Sequence, residues 1–293
     1  MTNSSTMFDS PSPIVSICLP TFNGAATVSE TIRSILSQSF QQWELVISDD
    51  ESTDNTLTKI KEFDDPRIRI ISRRQRTTPA DNWNHCIEHA QGKYIKVMGQ
   101  DDLLLSDCLK SEVEIMDQAS NGDFSFCFSK RNIISPSGQT IIRDRGLQNK
   151  IKVVKLPSIL AKLVRSGTNI FGEPVAGMIR ATALKKVGGF NGSYIIDLDM
   201  WIRLLQIGPA IHTQKTLVSF RVGKSSWSHL LRSSQADETS ELFRRLARQF
   251  PDQISNTDLR IGHFSAKLKQ WARTTIIPLL IFMRQLLPSR AGQ

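Results

Sequence analysis

The sequence predicts an α/β fold with a doubly wound, mainly parallel β-sheet that helices cover on both faces. The first observation is that short β-rich runs alternate with segments of helical periodicity in the first third of the chain. The second is that two of these runs end in adjacent aspartates, Asp49-Asp50 and Asp101-Asp102. In such sheets, ligands bind outside the carboxyl ends of the strands. The 293 residues can bury one large core.

Four strands and three helices are predicted in the first third of the chain. The strands are expected at residues 14–19, 45–48, 68–71 and 94–98, and Pro20 is expected to end the first. The first helix should begin after Thr27, which has capping-box spacing with Glu30. The second helix should begin near Asp54, and the third should contain Trp83. This order implies parallel strands joined through helices.

The second half has a less regular pattern. Strands are expected at 124–128, 175–179 and 217–222, a hairpin turn at 136–138, and helices at 156–165 and from Asp197 to Gly208. Neither an internal repeat nor a linker is visible. We therefore predict a disordered tail at 1–12, one domain at 13–225 and a basic helical extension at 226–293. The tail lacks a basic start and an apolar run, so it does not match a signal peptide.

Positive charge is concentrated at the end of the chain. The net charge is +9, and from Arg221 onward twelve Lys/Arg against five Asp/Glu account for +7. Such a block is typical of a protein that meets a membrane or a nucleic acid, but a solvated helical face has the same composition. Residues 271–287 are apolar, contain Trp and Phe, and are too short and interrupted to span a bilayer. They either lie at an anionic membrane interface or pack on protein.

The cysteine pattern indicates reduced thiols. Cys18, Cys86, Cys108 and Cys127 are scattered along the chain without CxxC spacing. Buried free thiols in a reducing compartment are therefore expected, rather than disulfides or a metal site.

The two aspartate pairs indicate a bound cation. Adjacent carboxylates repel each other unless a positive charge lies between them, and a divalent cation with a phosphorylated ligand would supply that charge. The absence of Gly-x-Gly-x-x-Gly after Leu19 argues against a dinucleotide-dependent oxidoreductase. A Gly-rich loop with a basic partner is also missing near the first strand, which argues against a nucleotidyltransferase.

Three motifs in order resemble the inverting glycosyltransferases of family 2, which have the Rossmann-like GT-A fold. The motifs are VSICLPTFN at 15–23, SILSQSF at 34–40 and DDESTD at 49–54. The resemblance covers roughly residues 14–222. It implies a nucleotide-binding half at 13–105 and an acceptor half at 106–225.

The resemblance assigns a set of residues to the sugar-nucleotide donor, namely Pro20, Thr21, Asn23, Asp50, Arg76, Asn84, Asp101 and Arg221. Asp50 would accept a hydrogen bond from uracil N3–H, as a carboxylate can. Capping of the next helix is the structural alternative for the Asp49-Asp50 pair, although Asp54 lies better for it. Arg76 lies in a basic loop that is equally consistent with simple solvation.

The metal motif of the family is represented by Gly99-Gln100-Asp101-Asp102. Gly99 stands where many members have a carboxylate, and the Gln-Asp-Asp variant leaves open which of Asp101 and Asp102 binds the metal and which the ribose. Hard oxygen ligands suit Mg²⁺ or Mn²⁺. Gly223 replaces a histidine that often follows the arginine corresponding to Arg221, so a third protein ligand is in doubt.

Asp197 is the candidate catalytic base by this resemblance, with Asp199 as the competing choice. The family carries a Glu-Asp pair here, and Ile196 replaces the Glu. An apolar neighbour should raise the pKa of Asp197 by desolvation and improve it as a base. Asp199 is expected to cap the helix instead.

The resemblance implies a metal-dependent, inverting transfer of a sugar from a nucleotide diphosphate donor, with UDP-sugar favoured, to a hydroxyl acceptor. A glycan or lipid-linked acceptor in surface polysaccharide or glycolipid biosynthesis is expected. The protein should be cytoplasmic, with peripheral contact at the inner membrane face through residues 271–287 as an option, and nucleic acid is not an expected partner. The alternative is a non-catalytic sugar-nucleotide binder or a basic protein that binds nucleic acid or membrane.

Overall fold

A computed structural model describes residues 12–73, 75–118, 124–147, 152–192, 195–223 and 235–276. These residues form one mixed β-sheet of ten strands with helices on both faces. The predicted tail lies almost entirely outside the described residues, as does the apolar segment beyond Ile276.

The N-terminal part is the parallel half of the sheet, with strand order β3-β2-β1-β4. The strands are β1 (Val15–Thr21), β2 (Trp43–Asp49), β3 (Ile68–Ser72) and β4 (Tyr94–Val97), and the crossover helices are α1 (Val28–Leu36), α2 (Thr56–Ile60) and α3 (Pro79–Glu88). The predicted alternation of strands and helices is confirmed.

Pro20 does not end β1, which continues to Thr21. The Cys18 carbonyl accepts from the Met98 N–H on the β4 side, so the nitrogen of Pro20, two residues further, faces the same side. Pairing with β4 ends at Cys18, whereas pairing with β2 runs on through Pro20 and Thr21. The missing N–H of Pro20 therefore costs no ladder hydrogen bond.

The second part of the sheet is mixed. It contains β5 (Leu103–Leu104), β6 (Phe126–Ile134), β7 (Thr140–Arg145), β8 (Val153–Val154), β9 (Gly177–Arg180) and β10 (Ala210–Arg221). From β4 the order continues β9-β6-β10-β5, with β9 antiparallel to both β4 and β6 and with β10 parallel to β6. The late strand is longer than the expected 217–222. The helices in this second part of the fold are α4 (Cys108–Asp117), α5 (Leu156–Ser166), α6 (Ala181–Val187) and α7 (Ile196–Ile207), with a 3₁₀ turn at Pro174–Ala176.

Two apolar cores lie on opposite faces of this sheet, which is the doubly wound arrangement. One contains the inward faces of α1 and α4, and the other contains those of α5, α6 and α7. All four cysteines are buried free thiols, as predicted. Alternate residues of a strand point to opposite faces, so the central strands contribute to both cores.

Two C-terminal helices, α8 (Gln235–Gln249) and α9 (Asn256–Trp271), follow the sheet, and a π-helical turn occupies Ala272–Ile276. The helix α8 adds Leu242, Phe243 and Leu246 to the core that contains α7. The start of α9 is a capping box between Ser255 and Asp258. None of the helices within the described ranges is long and apolar enough to cross a membrane.

Candidate active site

The carboxyl ends of β1, β2 and β4 are joined by hydrogen bonds between their loops. Thr21 donates from Oγ1 to Asp49 Oδ1 at 2.9 Å, and its carbonyl accepts from the Asp50 N–H at 2.9 Å. The Gln100 side-chain amide bonds both main-chain groups of Phe22, at 2.9 Å to the N–H and 2.8 Å to the carbonyl. The three loops therefore form one connected edge, and Pro20 and Thr21 lie on it.

The two aspartates after β2 have different environments. Asp49 accepts from Ser52 twice, at 2.9 Å from the N–H and 2.6 Å from Oγ, so it shapes its own loop. Asp50 is buried and accepts from the Thr77 N–H and Oγ1, each at 3.0 Å, on the loop before α3. At the start of α2, Asp54 rather than either of these accepts from the Thr56 N–H.

The other predicted donor-site residues on this side have partners within the protein. Asn23 has a left-handed φ of 49° and accepts from the Thr53 N–H at 2.8 Å. The Arg76 guanidinium lies over the Phe22 ring, 4.1 Å from its centroid. These contacts leave both residues at the edge described above.

The Asn84 side chain is hydrogen-bonded to the loop between α6 and α7. Its amide bonds both main-chain groups of Phe190, at 2.9 Å to the carbonyl and 2.8 Å from the N–H. This arrangement ties α3 to the loop between α6 and α7, and it is a structural use of the side chain. The neighbouring Asn82, which the sequence did not single out, instead bonds Ser48 and the Thr21 carbonyl at the strand ends.

Asp101 and Asp102 converge over Gly99. A Cβ at position 99 would lie 2.9 Å from Asp101 Oδ1 and 3.1 Å from Asp102 Oδ2, closer than side chains normally approach. The Gly99 N–H also donates to Asp102 Oδ2 at 3.2 Å. The missing side chain at position 99 therefore creates the space into which both carboxylates project.

The chemistry of this pair fits a divalent cation. Asp102 is only 3% exposed, and burial followed by the charge of Asp101 raises its pKa well above the ordinary value. Burial also raises the pKa of Asp101, against the opposing charge of Arg221. A cation would relieve the desolvation and repulsion of both carboxylates. Across the described ranges, no cluster of three or more metal-ligating side chains occurs.

Arg221, at the end of β10, holds this pair to the rest of the sheet. Its main-chain N–H donates to Asp102 Oδ1 at 3.2 Å, and its Nε donates to the Asp101 carbonyl at 2.9 Å. Its Nη1 donates to the carbonyls of Ser135 and Pro136 at 3.2 and 2.9 Å. The buried guanidinium therefore fixes the aspartate loop against the β6–β7 turn.

The remaining nitrogen of Arg221 binds α1. Its Nη2 pairs with Glu30 Oε2 at 2.6 Å. The predicted capping box is wrong, because Thr27 makes no side-chain capping hydrogen bond and Glu30 turns to Arg221 instead. A buried guanidinium needs a counter-charge, and this requirement outweighs a local cap on an exposed helix end.

Asp197 lies in the first turn of α7 and is partly buried. Its Oδ2 accepts from Asn169 Nδ2 at 2.9 Å, and its Oδ1 accepts from the Leu198 N–H at 2.7 Å. Burial, and then the charge of Glu173, raises its pKa to about 6. A carboxylate with this pKa is a stronger base than an ordinary aspartate and is still largely ionised at neutral pH.

Asp199 has a different role from Asp197. Its Oδ2 pairs with Arg203 at 2.7 Å, and its Oδ1 pairs with Arg245 of α8 at 2.8 Å. The expected helix cap is not formed, because both oxygens bind guanidinium groups. Asp199 thus attaches the C-terminal helices to α7, and this geometry favours Asp197 as the base.

Glu173 and Arg131 are site residues that the sequence reasoning missed. Arg131 is buried in β6 and forms an ion pair with Glu173, which lies just before the 3₁₀ turn. Burial alone would raise the pKa of Glu173, but Arg131 and Arg145 lower it overall. The charge of Glu173 contributes to the raised pKa of Asp102 and to that of Asp197.

Comparison with known proteins decides the family. The family model described as Glycosyl transferase family 2 matches residues 16–188, more than half of the chain. The chain belongs to glycosyltransferase family 2. This membership confirms the predicted enzyme class, a glycosyltransferase, and the sheet with its flanking helices confirms the predicted fold class.

Two curated relatives of this family 2 chain are proteins of Bacillus subtilis and Escherichia coli. EpsE of Bacillus subtilis is 29% identical over 205 residues, which cover 67% of this chain and 68% of EpsE. A second relative, UDP-Glc:alpha-D-GlcNAc-diphosphoundecaprenol beta-1,3-glucosyltransferase WfgD of Escherichia coli, is 32% identical over 122 residues, which cover 42% of this chain and 47% of WfgD. The chain thus spans about half to two thirds of the length of the curated relatives it matches.

Solved structures share the fold of this family 2 chain. TarS 1–349 of S. aureus in complex with UDP-GlcNAc has a TM-score of 0.60 and 18% identity, over 88% of this chain and 72% of TarS 1–349. The mannosyltransferase PcManGT of Pyrobaculum calidifontis, in complex with GDP-Man and Mn²⁺, has a TM-score of 0.58 and 17% identity, over 96% of this chain and 76% of that protein. At these identities the likeness concerns the fold alone.

Proposed function

We propose that this protein is a metal-dependent, inverting glycosyltransferase that moves a sugar from a nucleotide diphosphate donor to a hydroxyl acceptor. The observation that carries the proposal is the convergence of Asp101 and Asp102 over Gly99, which forms a pair of desolvated carboxylates that suits a divalent cation. A further carboxylate, that of Asp197, has a pKa of about 6, which suits a general base. An in-line displacement of a diphosphate uses both a cation and a base.

Asp197 would act on the acceptor. Its carboxylate would take the proton of the attacking hydroxyl as that oxygen bonds the anomeric carbon from the face opposite the diphosphate. An ionised carboxylate has about four lone-pair positions, and Asn169 uses one of those on Oδ2. The Asp197 carboxylate can therefore still accept a hydrogen bond from the attacking hydroxyl. One displacement of this kind inverts the anomeric configuration.

Asp101, Asp102 and the edge formed by β1, β2 and β4 would hold the donor. The two aspartates would bind Mn²⁺ or Mg²⁺, which supplies positive charge to the departing diphosphate. Asp50 would accept from the base, and Thr21 and Asn23 would contact the nucleotide through main-chain groups. A UDP-sugar is favoured because uracil offers an N3–H to the Asp50 carboxylate.

A donor-binding measurement tests this assignment. We expect UDP-sugars to raise the melting temperature in the presence of Mn²⁺, because a ligand that binds only the folded state stabilises it by mass action. The same screen without Mn²⁺ should give a smaller shift. The measurement is thermal denaturation in the presence of each member of a panel of nucleotide diphosphates and their sugars. If none of these nucleotides raised the melting temperature, the result would contradict the proposal.

The pH dependence of transfer should report Asp197. Its raised pKa of about 6 means that the base is ionised above that pH and protonated below it. We therefore expect kcat/KM to be flat near neutral pH and to fall about tenfold per pH unit below about pH 6. Initial rates between pH 3.5 and pH 8 check this, and a limb near pH 4, where an ordinary aspartate titrates, would contradict the raised pKa of Asp197.

A lipid-linked acceptor is consistent with the exposed face of α9. Apolar side chains at a helical spacing are solvent-exposed there, namely Ile261, Phe264, Leu268 and Trp271, with Phe264 69% and Trp271 55% exposed. Arg260 and Lys267 lie on the same exposed face. Aromatic and basic residues together suit the interface of an anionic membrane. The name of WfgD specifies an acceptor carried on undecaprenol diphosphate. We therefore propose that the protein acts at the cytoplasmic face of a membrane.

Vesicle binding tests the α9 face. The double variant Phe264→Ser, Trp271→Ser should lose more than tenfold in affinity for anionic vesicles, because each exposed aromatic contributes about 1.5–3 kcal/mol when buried. The matched control is Val153→Ser, Ile207→Ser, which removes two other exposed apolar side chains and should bind normally. Unchanged sedimentation of the α9 variant with vesicles would indicate that this face packs on protein instead.

A further inference from the structure

We infer that Asn169 and Glu173 are positioning residues for Asp197. This inference rests on the proposed role of Asp197 as base, and it concerns two side chains in the loop between α5 and β9. One donates a hydrogen bond to the base, and the other places a fixed negative charge beside it.

Asn169 has the geometry of an orienting group. Its Nδ2 donates both to Asp197 Oδ2 at 2.9 Å and to the Gly172 carbonyl at 2.7 Å. Its Oδ1 accepts from the main-chain N–H groups of Phe171 and Gly172 at 2.9 and 3.2 Å. The amide is therefore held at both ends by its own loop, and it can present Nδ2 to the base in only one orientation.

The loop itself is anchored from two further sides. Trp201 of α7 donates from its indole nitrogen to the Gly172 carbonyl at 2.9 Å. Gly172 has a φ of 106°, and a Cβ there would lie 3.0 Å from Arg131 Nη1 and 2.8 Å from the Ala176 Cβ. A glycine is thus required for the loop to pass Arg131 and bring Glu173 to its partner.

The negative charge of Glu173 is held in one position by an ion pair. Its carboxylate is 24% exposed and pairs with the buried guanidinium of Arg131, which β6 holds in place. The charged groups that act on Asp197 are Glu173, which makes ionisation harder, and Arg131, which makes it easier. The charge of Glu173 therefore contributes to the raised pKa of Asp197, after burial.

The two residues therefore have predictable and opposite effects. Glu173→Gln removes a negative charge and should lower the pKa of Asp197 by about one unit. Asn169→Asp keeps an acceptor oxygen for the loop N–H groups, but it replaces the donor by a second carboxylate. It should raise the pKa of Asp197 by about one unit or more. The signs follow from the charges that the two substitutions remove and add, and the size of each shift measures how close the side chain lies to the Asp197 carboxylate.

The experiment is a ¹³C NMR titration of the Asp197 carboxyl in the full chain labelled with [4-¹³C]aspartate, with the signal assigned by Asp197→Asn. The matched control is Glu44→Gln, which alters a buried glutamate paired with Arg69 in the parallel half of the sheet. It should leave the Asp197 titration unchanged. The single variant Glu173→Gln leaves the buried Arg131 without a counter-charge and could fail to fold. In that case the double variant Arg131→Met, Glu173→Gln removes both charges. It should lower the pKa of Asp197 by less than the one unit expected for Glu173→Gln alone.

The outcomes separate this inference from the proposed function. Opposite shifts support the positioning roles, and an unchanged Asp197 titration in both variants overturns them, whether or not transfer is detected. Failure of the wild-type protein to transfer sugar would overturn the proposed function but not the titration. Where transfer is measurable, the acid limb of kcat/KM should move with the NMR titration in each variant, and a limb that stays in place overturns the inference.

Discussion

Replacing Asp197 by asparagine should reduce sugar transfer by about 10²–10⁴-fold, the usual contribution of general base catalysis. The amide has the same shape and can still accept from Asn169, so the loop and α7 should keep their structure. Donor affinity should be nearly unchanged, because the aspartate pair and the nucleotide edge are separate from this side chain. Single-turnover transfer rates and donor titrations measure the two quantities independently.

Asp199→Asn is the matched control for that variant. It makes the same chemical change two residues away and weakens the pairs with Arg203 and Arg245. We expect it to lower the free energy of unfolding by about 1 kcal/mol or less, as for partly exposed ion pairs, and to retain transfer. If Asp199→Asn abolished transfer and Asp197→Asn did not, the base would be Asp199.

Asp101→Asn and Asp102→Asn should each reduce transfer by about 10²–10³-fold, the range found when a single electrostatic contact to developing charge is removed. Each variant loses half of the negative charge over Gly99, so the Mn²⁺ or Mg²⁺ concentration for half-maximal activity should rise. Excess chelator should abolish wild-type activity. Metal-dependence curves for the wild type and both variants measure these effects.

Asp107→Asn provides the comparison for the metal variants. Asp107 lies between β5 and α4, and its carboxylate accepts from Ser39 Oγ at 2.7 Å and takes no part in the pair over Gly99. Its metal-dependence curve should match that of the wild type. Full activity of the wild type in chelator would reject the metal assignment, and an equal loss in Asp107→Asn would indicate a general effect of charge.

The parallel half of the fold was predictable because its signals are local. Runs of β-branched residues and helical periodicity locate β1 to β4 and their crossover helices without reference to distant residues. The parallel arrangement then places the ends of β1, β2 and β4 together, which brings Thr21, Asp50 and Asp101 to one edge. The error at Pro20 has a long-range origin, since the proline is tolerated only because the sequence-distant strand β4 stops pairing first.

The acceptor side could not be predicted in the same way. The contacts that define it join residues far apart in sequence: Asn169 and Asp197 are 28 positions apart, Arg131 and Glu173 are 42 apart, and Glu30 and Arg221 are 191 apart. No periodicity encodes such pairs. The family resemblance singled out Asp197 but gave no reason to examine Glu173, whose importance depends on the buried arginine opposite it. Asn84 is the opposite case: the resemblance singled it out for the donor site, and in the structure its amide hydrogen-bonds the main chain of Phe190.

The position of β5 bears on how the protein could be divided or truncated. Its residues, Leu103 and Leu104, come from the first half of the sequence but pair with β10 at the far end of the sheet order. In the sheet order β9, β6 and β10 lie between β4 and β5, so later parts of the chain fill the gap between two strands that follow each other directly in sequence. A nucleotide half cut at residue 105 would carry a strand without its neighbour. The two functional halves are interleaved, and we expect them to fold only as one piece.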